Sequence, residues 1–114
     1  MNTPPLTIVA IATAASGQEA ALRAAQEQLV AETVKESGCL RYELHQSRED
    51  SRVLVFVETW ASEEQWRAHM EGAAIQRFHA SGASKLIVDF SLVKMSLVAD
   101  GGLNSQWPKH LTNR

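Results

Sequence analysis

Residues 39–60, CLRYELHQSREDSRVLVFVETW, carry a hydropathic period of two and turn back on themselves. In the first arm Leu40, Tyr42 and Leu44 fall on one face, and Arg41, Glu43 and His45 on the other. Arg48 to Arg52 is a charged turn. The second arm, 53–60, sets Val53, Val55 and Val57 against Leu54, Phe56, Glu58 and Trp60. Two alternating arms joined by a polar turn predict an antiparallel hairpin at the centre of the fold.

Working outward, residues 6–13 form a short run rich in β-branched residues (Ile8, Val9, Ile11), which predicts a strand buried on both faces. Ser16-Gly17-Gln18-Glu19 fits a capping box and predicts a helix. Its apolar stripe is Leu22, Ala25, Leu29 and Thr33, with Val30 and Val34 beside it; Gln18, Arg23, Glu27, Lys35 and Glu36 take the wet side. Ser37-Gly38 is expected to stop it. After the hairpin, Ser62-Glu63-Glu64-Gln65 repeats the capping logic, and Trp66, His69, Met70 and Ala73 follow at helical spacing. Gly72 interrupts that helix, and a second short one carries Ile75, Phe78 and His79 before Gly82. Residues 87–98 read as a last strand. The expected organisation is an N-terminal extension (1–5), one domain (6–99) and a polar tail (100–114) that is loose or draped over a neighbour.

The order strand, helix, strand, strand, helix, strand predicts a split βαβ arrangement: an α+β fold with a four-stranded antiparallel sheet and helices on one face. The chain has 114 residues, 45% hydrophobic and 21% charged, with a net charge of −2. That balance excludes an electrostatic nucleic-acid binder. A lone cysteine, Cys39, excludes an intrachain disulfide framework, and its setting favours a buried, inert thiol. No apolar run approaches the ~20 residues of a membrane span. The first residues lack a basic region before their apolar stretch, so a cytoplasmic protein is expected. Two helices cover one face of such a sheet, yet strands 6–13 and 53–60 are apolar on both. Leaving Val53, Val55 and Val57 in water would expose a larger apolar patch than monomers usually carry. Covering several hundred Å² is worth on the order of 10 kcal/mol before association costs, so a homodimer through the sheet faces is expected.

Gly38-Cys39-Leu40-Arg41-Tyr42-Glu43-Leu44, then Glu58-Thr59-Trp60, then the helix from Ser62 to Met70 with His69, resemble the antibiotic biosynthesis monooxygenase (ABM) domain over about residues 6–99. The resemblance implies a ferredoxin-like, dimeric α+β barrel whose pocket, between sheet and helices, takes small aromatic or carbonyl compounds. Many members use no metal, flavin or nicotinamide. Trp60 matches a pocket tryptophan of the polyketide-quinol oxygenases. Trp66 stands in place of a tyrosine there, and Phe56 in place of a substrate-binding asparagine. Haem-degrading relatives have a haem-ligating histidine where His79 falls, but their partner tryptophan and asparagine correspond to His69 and Ala10.

From the residues themselves, Glu58 shares a strand face with Phe56 and Trp60, and desolvation there would raise its pKa and suit it to take a proton from a phenol or an acidic C–H. His69, on the facing helix, would share that proton or hold the substrate oxygen. The alternative is that Glu58 and His69 satisfy each other as a structural pair. Trp60 and Trp66 either clamp a planar ring or serve as core aromatics. Tyr42 either offers its hydroxyl to a ligand or packs. His79 reads as a helix-surface or core-edge histidine rather than a metal or haem ligand. No metal-ligand spacing and no glycine-rich phosphate loop are present. The expected activity is cofactor-independent oxygenation of a quinol or other electron-rich aromatic. The alternatives are isomerisation or degradation of a small carbonyl compound, a non-catalytic small-molecule-binding dimer, or, more remotely, haem degradation.

Overall fold

A computed structural model describes residues 4–102. The expectation for the tail from Leu103 onward, with Trp107 and His110, lies outside them, as do residues 1–3. The elements are β1 (Leu6–Ala14), α1 (Glu19–Thr33), β2 (Cys39–Gln46), β3 (Val53–Trp60), α2 (Glu63–Met70), α3 (Ala73–Ala80), a 3₁₀ turn (Ala83–Leu86) and β4 (Ile87–Met95). The sheet order is β2-β3-β1-β4, with every neighbouring pair antiparallel. This is the α+β, ferredoxin-like architecture anticipated from the hairpin outward. Among the described residues no helix is long and apolar enough to cross a membrane.

Strand register sorts the side chains into two faces. Ile8 sits opposite Glu58, Ala10 opposite Phe56 and Ala12 opposite Leu54, while Tyr42 also pairs with Glu58 from the other side. These residues share the face on which the helices pack. Leu29 of α1 and Ala74 of α3 join Ile8, Ala10, Tyr42, Phe56 and Trp60 in the main core cluster, with Trp66 of α2 packed against it. A second cluster, Ala14, Leu22 and Leu54, closes the other end. On the outer face Val9, Ile11, Val55 and Val57 are half-buried and Val93 and Met95 exposed, so the apolar second side is present as expected. Glu43 there accepts from Arg41 at 3.1 Å and lies 3.1 Å from His45 Nε2.

Several local expectations are corrected. The Ser16 capping box does not form: α1 begins after Gln18 without a side-chain cap, because the chain turns through Gly17 at φ 81°. The helix ends at Thr33, leaving Val34 exposed, and Gly38 at φ 82° swings the chain into β2 rather than closing the helix. Leu40 does not share the Tyr42 face. Cys39 pairs with Trp60 and Arg41 with Thr59, so Leu40 is the extra residue of a β-bulge and is 64% exposed. Ala73 is exposed and Ala74 buried, because the break at Gly72 resets the helical phase. β4 stops at Met95 instead of Val98: its last partner is Thr7, and β1 begins directly after Pro5. By contrast, Ser62 does cap α2, its Oγ accepting from the Gln65 amide at 3.3 Å.

Candidate active site

Because β1 carries alanine at positions 10 and 12, the sheet leaves a hollow beneath the helices. A cavity of about 410 Å³ lies there, with Ala10 and Ala12 on its floor and Tyr42, Phe56, Glu58 and His69 among its walls. Its volume falls within the ~300–1,000 Å³ of ordinary small-molecule sites. Met70 and Phe90, both partly in solvent, mark its open side along β4.

Glu58 is 4% exposed. Burial drives its carboxyl up from 4.5 to about 7, and a hydrogen bond from Trp60 Nε1 to Oε1, 2.9 Å long, only partly opposes this. A carboxyl so placed is half-ionised near neutrality, the condition in which it accepts a proton from an acidic ligand most effectively. His69 does not pair with it. Its Nδ1 lies 2.7 Å from Glu36 Oε1 on the turn after α1, thirty-three residues earlier. Burial lowers the His69 pKa, with the Glu36 hydrogen bond opposing, so the ring is neutral at pH 7. With a neutral ring the short Nδ1–Glu36 contact fits the tautomer that carries its proton on Nδ1 and keeps Nε2 as the acceptor. The alternative in which Glu58 and His69 satisfy each other does not hold: Glu58 bonds Trp60 and His69 bonds Glu36. The helical pattern places Glu36 on the wet side. The signal that it is more than solvated lies in the third dimension, where α1's trailing turn meets α2.

The two tryptophans do not form a clamp. Trp60 is fully buried, its indole stacked under His69 with ring centroids 4.8 Å apart, and neither it nor Trp66 lines the cavity. Trp60 therefore holds both polar groups at once, Glu58 through its N–H and His69 through its ring face. Trp66 is half-buried on the flank of the core; Lys94 Nζ lies 5.2 Å over its ring, and its buried Nε1 has no hydrogen-bond partner. Tyr42 packs edge-on to His69 (5.3 Å) and tilted against Phe56 (4.9 Å). Burial, and then the Glu58 carboxylate, hold its phenol far above the usual range, so it is a neutral hydroxyl in the wall. Phe56 offers only an apolar surface. His79 stands at the exposed edge of the cavity. Burial raises the Cys39 thiol pKa, followed by the charges of Glu36 and Glu58, in keeping with an inert thiol. Among the described residues no group of three or more His, Cys, Asp or Glu side chains gathers as metal ligands would.

The sequence pattern of the antibiotic biosynthesis monooxygenase family matches residues 5–81. No curated protein matches the chain. Among solved structures, PA3566 from Pseudomonas aeruginosa has a TM-score of 0.80 at 32% identity, over 87% of this chain and 99% of its own. SO0527 from Shewanella oneidensis gives 0.77 at 30% identity, over 84% and 93%. A structure described as an antibiotic biosynthesis monooxygenase gives 0.76 at 22% identity, over 82% and 99%, a likeness of fold.

Proposed function

The chain belongs to the antibiotic biosynthesis monooxygenase family, and from that premise we propose that it oxygenates a quinol or similar electron-rich phenol with O₂ and no added cofactor. The observation that carries the reading is a carboxyl with a pKa of about 7 in the wall of a largely apolar, ring-sized cavity. Glu58 removes the acidic proton of the bound ring, and the resulting anion is electron-rich enough to pass an electron to O₂ directly. One oxygen atom either replaces both hydrogens of a benzylic CH2 as C=O, or enters a ring C–H as C–OH while the quinol is oxidised to the quinone. The other leaves as water, so the substrate supplies all four electrons. His69 Nε2 accepts or returns a proton at the substrate oxygen, while Glu36 fixes the ring's tautomer and direction. Trp60 and Tyr42 hold these groups, Phe56 shapes the pocket, and Trp66 supports the helix that carries His69.

The same reading makes the protein a cytoplasmic homodimer. Val9, Ile11, Val55, Val57, Val93 and Met95 line the outer sheet face, and a second copy buries them. Oxygen uptake against a panel of hydroquinones, catechols and anthrones, with nothing else added, tests the activity. Uptake that depends on Glu58 is expected. Conversion of a panel member without oxygen consumption would select carbonyl chemistry instead, and binding without product would select a non-catalytic role.

A further inference from the structure

Gln26 stands on the buried face of α1, 1% exposed, and lines the same cavity, yet its Oε1 has no hydrogen-bond partner in the protein. Nothing in the helix pattern calls for an amide here. Leu22 and Leu29, one turn before and after, fill their positions with apolar bulk, and a leucine at 26 would bury without desolvating a polar group. A buried amide oxygen left unpaired is destabilising, and a ligand oxygen or hydroxyl in the cavity that Gln26 lines would relieve it.

Its placement says which part of a ligand it meets. Leu29 packs in the cluster holding Ile8, and Leu22 in the one holding Leu54. Ile8 is opposite Glu58 and Ala12 opposite Leu54, rows about 13 Å apart along β1. Gln26 lies on α1 between Leu22 and Leu29 and lines the cavity together with Glu58 and the alanines of its floor. We propose that Gln26 is the second polar contact of the ligand, binding an oxygen substituent on the side of the ring away from Glu58. The site then takes aromatics with two oxygens across the ring in preference to a single phenol. Because an amide both donates and accepts, Gln26 holds that far oxygen as hydroxyl in the substrate and as carbonyl in an oxidised product. The inference rests on reading the cavity as a ring-binding site, but not on the oxygen chemistry.

Calorimetric titration under argon with 1,4-dihydroxynaphthalene and with 1-naphthol separates the two. The parent protein is expected to bind the dihydroxy ring about tenfold more tightly, the worth of one hydrogen bond to a buried amide. Gln26→Leu, and Gln26→Met as a variant of similar length, should bring the two probes to within about twofold while the unfolding temperature stays at or above the parent's. No preference in the parent, an unchanged preference in both variants, or an equal loss for both probes together with a large fall in unfolding temperature would overturn the inference. Failure of both probes to bind would overturn it along with the ring-binding reading. A Gln26-dependent preference in a protein that consumes no oxygen in air leaves it standing and removes only the oxygenase proposal.

Discussion

Replacing Glu58 by Gln removes a titrating group while keeping an oxygen for the Trp60 indole N–H, and its consequence for stability follows from the carboxyl's environment. In the unfolded chain Glu58 ionises near 4.5, in the folded protein at about 7. Below 4.5 it is protonated in both states and costs nothing. Between those values the unfolded chain ionises while the folded protein does not, so the native state loses stability as pH rises, and the loss levels off above 7. The full loss is about 3 kcal/mol. Glu58→Gln escapes it. The stability difference between variant and parent should therefore grow in the variant's favour by about 3 kcal/mol from pH 4 to pH 8. For a domain of this size that is a relative gain of about 10 °C or more in unfolding temperature. Urea or thermal unfolding at several pH values, at one fixed protein concentration so that self-association cancels, measures it. Any packing defect of the amide is common to both pH values and drops out. A difference that stays flat from pH 4 to pH 8 would refute the desolvated carboxyl, and with it the general-base role. On the activity side, kcat/KM of the parent should rise with pH through about 7, and the variant should lose most turnover with little change in ligand affinity.

Trp60→Phe removes the one hydrogen bond that lowers the Glu58 pKa; the carboxyl should titrate above 7 by carbon-detected NMR and the domain lose about 1–3 kcal/mol. Glu36→Gln takes away the charge that supports protonated His69. Its pKa should fall further in an imidazole NMR titration, and turnover drop about tenfold or more with KM little changed. Val55→Glu places a charge in the middle of the outer sheet face; a dimer seen by sedimentation in the parent should become a monomer, and a monomeric parent would remove the dimer proposal. Gly38→Ala meets two obstacles, a positive φ and the Gln65 side chain in the space its Cβ needs. It should cost about 1–3 kcal/mol by urea unfolding.

The hairpin and its two faces follow from residue order alone. A period of two has only two phases, so once Tyr42, Glu58 and Trp60 faced inward, Val53, Val55 and Val57 had to face out, and strand–helix order allowed few topologies. It also marked Glu58, because an acid in an apolar row is conspicuous in one dimension. The bulge at Leu40 and the positive-φ Gly17 after Ser16 escape a periodicity argument, because each shifts phase without changing composition. Which side chains meet across the fold does not follow from that order. Glu36 and His69 meet across thirty-three residues, Trp60 goes beneath the site instead of into it, and Gln26 looks like any helical glutamine until the alanines at 10 and 12 leave a space beneath it. Periodicity assigns a residue to a face; the neighbours it meets there come from elements distant in the chain, and local sequence carries no term for their contact.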